Sequence, residues 1–206
     1  MLPQRHEWTA AEMVAGAPCL EFANTVGDLS KTRDVERLTD WEALLQWGEL
    51  AGILGAGESV ALRKAGGRDP SGAQRTVLSL RRFREVFFRT ASALAANRAP
   101  AQYDLDQLET TIQGAIRSAH LVRQGAGFDW SIGPMDTPFH LPLFRIALSA
   151  LALLQGGELA FLRECQRCSW LFIDRSRSHG RRWCRADACG NRARVARHYK
   201  ARVTRT

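Results

Sequence analysis

Only five cysteines occur in the 206 residues, and no apolar run approaches the length of a bilayer crossing. The longest, Leu141 to Leu154, covers about fourteen residues and contains Arg145, short of the ~20 that a transmembrane helix needs. It reads as a core helix. The opening stretch MLPQRHEWTAAEM lacks the basic start, apolar centre and small-residue cleavage site of a signal peptide, so the expected compartment is the cytoplasm. So few cysteines in a reducing compartment argue against a disulfide framework. The chain also has no HExxH, no phosphate-cradling glycine loop and no nucleophile paired with a base, and His6, His120 and His140 are isolated. No enzyme is expected. Internal repeats and low-complexity segments are absent as well.

A hydrophobic content of 45% implies a real core rather than a disordered chain. Charge is spread unevenly. From Arg163 onward there are thirteen Arg and Lys against three acids (Glu164, Asp174 and Asp187), a local +10, whereas residues 1–162 hold sixteen basic and eighteen acidic side chains, or −2. All the excess positive charge therefore lies in the last fifth of the chain. A basic tail on a near-neutral body points to an acidic polymer or surface as partner, or else to a solvated, solubilising tail.

Helix signals dominate the first three-quarters, and the expected fold class is mainly α. Pro18 to Val26 reads as a helix, and Trp41, Leu44, Leu45 and Leu50 follow helical spacing behind Asp40 as N-cap. Asp69-Pro70 is a cap and first-turn pair for a helix whose stripe is Val77, Leu80, Phe83, Phe87, Ala91 and Leu94. Asp104, with Gln107 three residues on, resembles a capping box opening another helix. Between His120 and Ile132 the period changes to two around Gly125 and Gly127, predicting a small hairpin. Pro142 then opens the apolar helix, which Gly156-Gly157 stops; apolar on nearly every side, it belongs inside the core. The expected domains are residues 1–157, able to fold alone, and residues 158–206.

Four of the five cysteines fall together as Cys165-x2-Cys168, fifteen intervening residues, then Cys184-x4-Cys189. Two close pairs at this separation have the spacing of a structural zinc site, because Zn²⁺ takes four tetrahedral ligands and a tight turn presents two thiolates to one ion. The wider second pair can be spanned if Cys184 leads into a helix with Cys189 in its first turn. A catalytic zinc with His179 or His198 as ligand is the rival, but four thiolates close the coordination sphere and leave no position for water. Cys19, alone in an apolar segment, reads as a core thiol. Trp170 to Ile173 reads as a strand, Arg182-Trp183 as its hairpin partner across the turn Asp174 to Gly180, and the stretch after Cys184 as a helix with Val195, Tyr199 and Val203 on one face. A knuckle, hairpin and helix around one zinc make a treble-clef arrangement, which needs its metal because so short a segment buries little apolar surface.

Residues 165–202 closely resemble the CGNR zinc finger, named for the run standing here as Cys189-Gly190-Asn191-Arg192, and the flanking WLFIDRSR and RRWC are similar to it too. PCLEFANTVGDL (Pro18 to Leu29) is similar to the leading motif of the helical ABATE domain that usually precedes this finger. The resemblance implies a stress-response transcription regulator that binds DNA.

Arginine suits phosphate because its planar fork donates two parallel hydrogen bonds and stays charged. The candidate nucleic-acid contacts are Arg175, Arg177, Arg181 and Arg182 before Cys184 and Arg192, Arg194, Arg197, Lys200 and Arg202 after Cys189. Arg182 and Arg192 are the first choices to neutralise the zinc thiolates instead. Trp170 and Trp183 either stack on bases or, more in keeping with their place beside the ligands, form a miniature core. Asn191 either caps the helix or reads a base edge. The expected partner is double-stranded DNA; RNA and an acidic protein surface are the alternatives. A homodimer and a small effector of the helical domain are compatible with this reading and invisible in the sequence.

Overall fold

Asp40 and Asp69 each turn a carboxylate onto the first turn of a helix. The computed structural model describes residues 5–27, 30–133 and 138–203, with side chains as far as Tyr199. In it Asp40 accepts from the amide of Ala43 at 2.8 Å and Asp69 from that of Gly72 at 2.7 Å. Each cap satisfies one of the amides a helix start leaves open. They begin α2 (Trp41–Leu50) and α4 (Pro70–Ala95). The latter is the spine of the molecule, burying Val77, Leu80, Phe83, Phe87 and Ala91 as its sequence period requires.

Ahead of these lie α1 (Pro18–Ala23) and a two-stranded antiparallel ribbon, β1 (Val26–Gly27) and β2 (Val35–Glu36). Of the PCLEFANTVGDL stretch, Asp28 and Leu29 lie outside the described residues. Between α2 and α4 stands α3 (Ala56–Arg68), which the apolar pattern does not announce. Its buried positions are Ser59, Leu62 and Gly66, only one of them large and apolar. Gly66 is there for close approach: a Cβ would come within 2.5 Å of the Trp41 indole nitrogen, which donates to the Leu62 carbonyl.

The helix α5 (Gln102–Arg117) begins with Ala101 at its cap, three residues before the expected start. Asp104 is not the cap. It is buried in the first turn, where Arg89 of α4 donates to it at 2.9 Å. The expected hairpin is present as β3 (His120–Gln124) and β4 (Gly127–Ser131), turning at Gly125 with φ +59 and leaving Leu121, Phe128 and Trp130 exposed on one face. By length and composition residues 138–155 would suffice to cross a bilayer. In the fold, α6 (Leu141–Gln155) packs one face on α1 and α5 and leaves Leu143, Phe144, Leu148 and Leu151 partly covered, rather than lying wholly inside the core. Its Arg145 is tied down by Glu58 at 2.6 Å and by the carbonyls of Ile53 and Ile132.

The last quarter departs most from expectation. Leu171–Ile173 (β6) pairs antiparallel with the upstream Leu162–Glu164 (β5), not with Arg182-Trp183. The hairpin therefore closes over the first cysteine pair, and the period of two divides β6 between two cores. Leu171 and Ile173, with Leu162, join the main core around Leu20, Phe22 and Ile146. Trp170 and Phe172 join a second, small core with the four clustered cysteines. The helical body and the finger thus share one hydrophobic core, to which Leu162, Leu171 and Ile173 contribute.

Candidate zinc centre and nucleic-acid interface

The knuckle begins where β5 ends. The Cys165 amide donates to the Trp170 carbonyl at 2.8 Å, curling the Cys165–Cys168 segment so that both thiols face inward. The opposite wall is strapped to it: Gln166 N donates to the Arg182 carbonyl at 3.0 Å, and Arg182 Nε returns a bond to Gln166 Oε1 at 2.8 Å. After Cys184 the chain makes a π-turn, Ala186–Gly190, which runs directly into α7 (Asn191–Val203). Cys189 lies in that turn, as its spacing from Cys184 requires. Gly190 packs closely here: a Cβ would sit 3.1 Å from the Trp183 ring, a tight contact.

These elements bring the Sγ atoms of Cys165, Cys168, Cys184 and Cys189 within 4.8 Å of one another, all in buried residues. Cys168 lies 3.7 Å from both Cys184 and Cys189. A tetrahedral zinc with Zn–S bonds of ~2.3 Å has sulfur–sulfur edges of about 3.8 Å, so the cage fits. Without a cation the sulfurs oppose one another. The thiols of Cys168 and Cys184 bond to Cys165 and hold it below the ordinary thiol range, while Cys168 itself is pushed up to about 12 and Cys184 further. A dication removes that conflict by taking all four as thiolates. The protein holds one structural zinc with these four ligands.

Cys19 lies elsewhere, fully buried in α1, its thiol pushed up to about 12 by burial. His179 is no ligand. Its Nδ1 lies 3.0 Å from the Asp174 carbonyl and its ring stacks on Phe161 at 4.3 Å. His198 is exposed on α7.

Four of the nine expected phosphate contacts already have partners. Arg192 donates to Cys189 Sγ at 3.1 Å and offsets thiolate charge. Arg182, the other candidate for that duty, stays at the surface, bound to Gln166 with its guanidinium 5.2 Å from the Trp183 ring centroid. Arg181 is a clamp: it donates to the carbonyls of Trp183 and Cys184 and lies over the Phe172 ring at 4.3 Å. Arg175 pairs with Glu158 at 2.7 Å and braces the finger on the body through the Gly16 carbonyl at 3.0 Å. Arg177, Arg194 and Arg197 are exposed and make no hydrogen bond or ion pair among the described residues. The side chains of Lys200 and Arg202 lie outside the described residues. Asn191 is already helical, at φ −63 and ψ −48, and exposed, so it is not the cap. Arg167, at the tip of the knuckle, was not among the candidates and is exposed too. The sequence carries a signal for it, since a residue between the two cysteines of a tight knuckle must point away from the metal.

The family described as "Putative stress-induced transcription regulator", ABATE, matches residues 16–157, and the CGNR zinc finger matches residues 162–202. The chain belongs to the ABATE family. No curated protein matches it. The ABATE motif around α1 is the seat on which the CGNR finger rests. Asn24 bonds the backbone of Leu171 through both ends of its carboxamide, and the Trp170 indole donates to the Val26 carbonyl at 3.0 Å. Glu21, buried in α1, accepts from the amide of Ala15 at 2.6 Å, and the Ala15 carbonyl takes the amide of Ile173 at 2.8 Å. Burial pushes the Glu21 carboxyl up to about 7, against the pull of the Ala15 and Gly16 amides.

Proposed function

We propose that this ABATE protein is a cytoplasmic, zinc-dependent transcription regulator that docks the basic face of its finger on duplex DNA, a binding protein rather than an enzyme. One observation carries the reading: most of the positive charge of the finger is not compensated from within. Of the four acids in residues 158–206, Glu158 is paired with Arg175, Glu164 is engaged by Lys31 and Ser92, Asp174 is buried under bonds from Ser176 and the Arg181 amide, and Asp187 is paired with Arg185. Arg177, Arg194 and Arg197 are left facing solvent, and phosphate is the anion that matches a guanidinium fork. Residues 1–157 serve as scaffold and residues 158–206 as reader. One finger of this size makes few contacts, so the working form is a homodimer reading two half-sites, with any small effector acting through the helical scaffold.

The test is anisotropy of labelled duplex DNA and single-stranded RNA with the full, zinc-loaded chain. Tighter binding to duplex supports the reading. Tighter binding to single-stranded RNA moves the assignment to RNA, and binding to neither leaves an acidic protein surface as partner.

A further inference from the structure

Two large apolar side chains on α7 are left uncovered by the fold. Val195 is 62% and Tyr199 70% exposed. Four residues apart, they share one face of the helix, and Asn191 continues the row by one more turn. The main packing partner of α7 is the π-turn that leads into it, and from Asn191 to Tyr199 this face is open. It is a shallow, largely open hollow. Arg167, Asn191, Arg192, Val195, Ala196 and Tyr199 line a cleft of about 520 Å³ between the knuckle and the helix.

Both walls are fixed by the same ion. Arg167 lies between the ligands Cys165 and Cys168, and Asn191 follows the ligand Cys189 by two residues. Zinc therefore sets the distance across the cleft. At about 100° per residue, Arg194 lies about 100° and Arg197 about 160° round the helix from Val195, both on the same side, so that Arg194 borders the row and Arg197 lies near the back of the helix. An apolar row with a carboxamide at one end, bordered by cations, matches a DNA groove, whose floor offers base edges and thymine methyl groups and whose walls are phosphate. A helix about 10–12 Å across fits a major groove about 12 Å wide.

We propose that the cleft between Arg167 and the Asn191–Val195–Tyr199 row of α7 is the base-reading surface of the finger, seated in the major groove of duplex DNA, with Arg194 holding the adjacent phosphate and Arg197 adding charge from behind. This rests on the DNA reading above and adds to it which residues confer sequence preference. The fork of Arg167 suits guanine O6 and N7, the Asn191 carboxamide suits adenine N6 and N7, and Val195 and the Tyr199 ring suit thymine methyl groups.

The experiment is selection from a pool of randomised duplexes with the full, zinc-loaded chain, as wild type, Arg167→Ala, Asn191→Ala, Tyr199→Ala and the pair Arg194→Ala/Arg197→Ala. All the substituted side chains are exposed, and zinc content with circular dichroism verifies the fold of each. Wild type is expected to enrich a defined site. Arg167→Ala and Asn191→Ala should each lose on the order of 10-fold discrimination at one base pair, and Tyr199→Ala should lose preference at a thymine. The pair Arg194→Ala/Arg197→Ala should weaken every sequence alike and keep the same site. If the three cleft variants enrich the wild-type site unchanged, or wild type binds duplex without preference, the proposal is overturned while the DNA reading stands. If wild type retains no duplex at all, both fall.

Discussion

The carboxamide of Asn24 completes the backbone of Leu171: Leu171 N donates to its Oδ1 and its Nδ2 donates to the Leu171 carbonyl, both at 2.8 Å. A side chain here does what a neighbouring strand would do for β6, and it joins the leading motif of the helical domain to the finger. Both bonds are buried. Asn24→Ala leaves an amide and a carbonyl without partners and should cost about 2–4 kcal/mol. Urea denaturation measures the loss, and zinc content should stay at one per chain, since Asn24 touches no ligand.

The shared core makes a second expectation. A chain ending at Gly157 loses Leu162, Leu171 and Ile173 from the main core and takes β6 away from α1. Each lost large aliphatic side chain removes roughly 1.5–3 kcal/mol of burial. The shortened chain should therefore be much less stable than the full one and should bind a hydrophobic dye such as ANS. Equal melting temperatures would mean that the two packing units are independent.

Metal removal is expected to act on both parts. Cys184→Ser should abolish stoichiometric zinc, because apparent zinc binding in such modules contributes on the order of 10 kcal/mol to folding. Helical circular dichroism should fall by the share of α7, and the rest should melt at a lower temperature through β5 and β6. Arg192→Ala should weaken zinc affinity 10–100-fold without abolishing it, as removal of a group bonded to a ligand commonly does. A competition titration with a zinc chelator distinguishes the two variants.

Glu21 sets a pH dependence. Its carboxyl titrates at about 7 in the fold, mainly through burial, against the usual carboxylate value of 4.5 when unfolded. Between these values the folded state keeps a proton that the unfolded state has lost, so stability falls as pH rises from 4.5 to 7 and levels off above. Glu21→Gln keeps an acceptor for the Ala15 amide and removes the titration. From pH 6 to pH 8 the wild type should lose about 1 kcal/mol of unfolding free energy relative to this variant.

Much of this was legible in the chain, in places that can be named. The caps at Asp40 and Asp69, the α4 stripe, the hairpin at Gly125 and the cysteine set are local signals, and local signals survive folding. The sequence hid α3 because its buried face is mostly Ser59 and Gly66, and misdirected the start of α5 because Asp104 answers to Arg89 rather than to its own helix. The partner of β6 was misassigned because strand pairing is set by the knuckle that joins β5 to it, not by the composition of either strand. Arg175 and Arg181 read as phosphate ligands on charge alone. Their structural duties depend on Glu158 and Phe172, which only the fold brings near.

The most direct test of the central claim is the salt dependence of binding by the full chain to one duplex. If each finger grips phosphate through about five cations, log K against log salt should have a slope of roughly −4 to −5 per finger bound, and Arg194→Ala with Arg197→Ala should flatten it by about two per finger at unchanged zinc content. A slope near zero, or one that the double substitution leaves unaltered, would contradict the account.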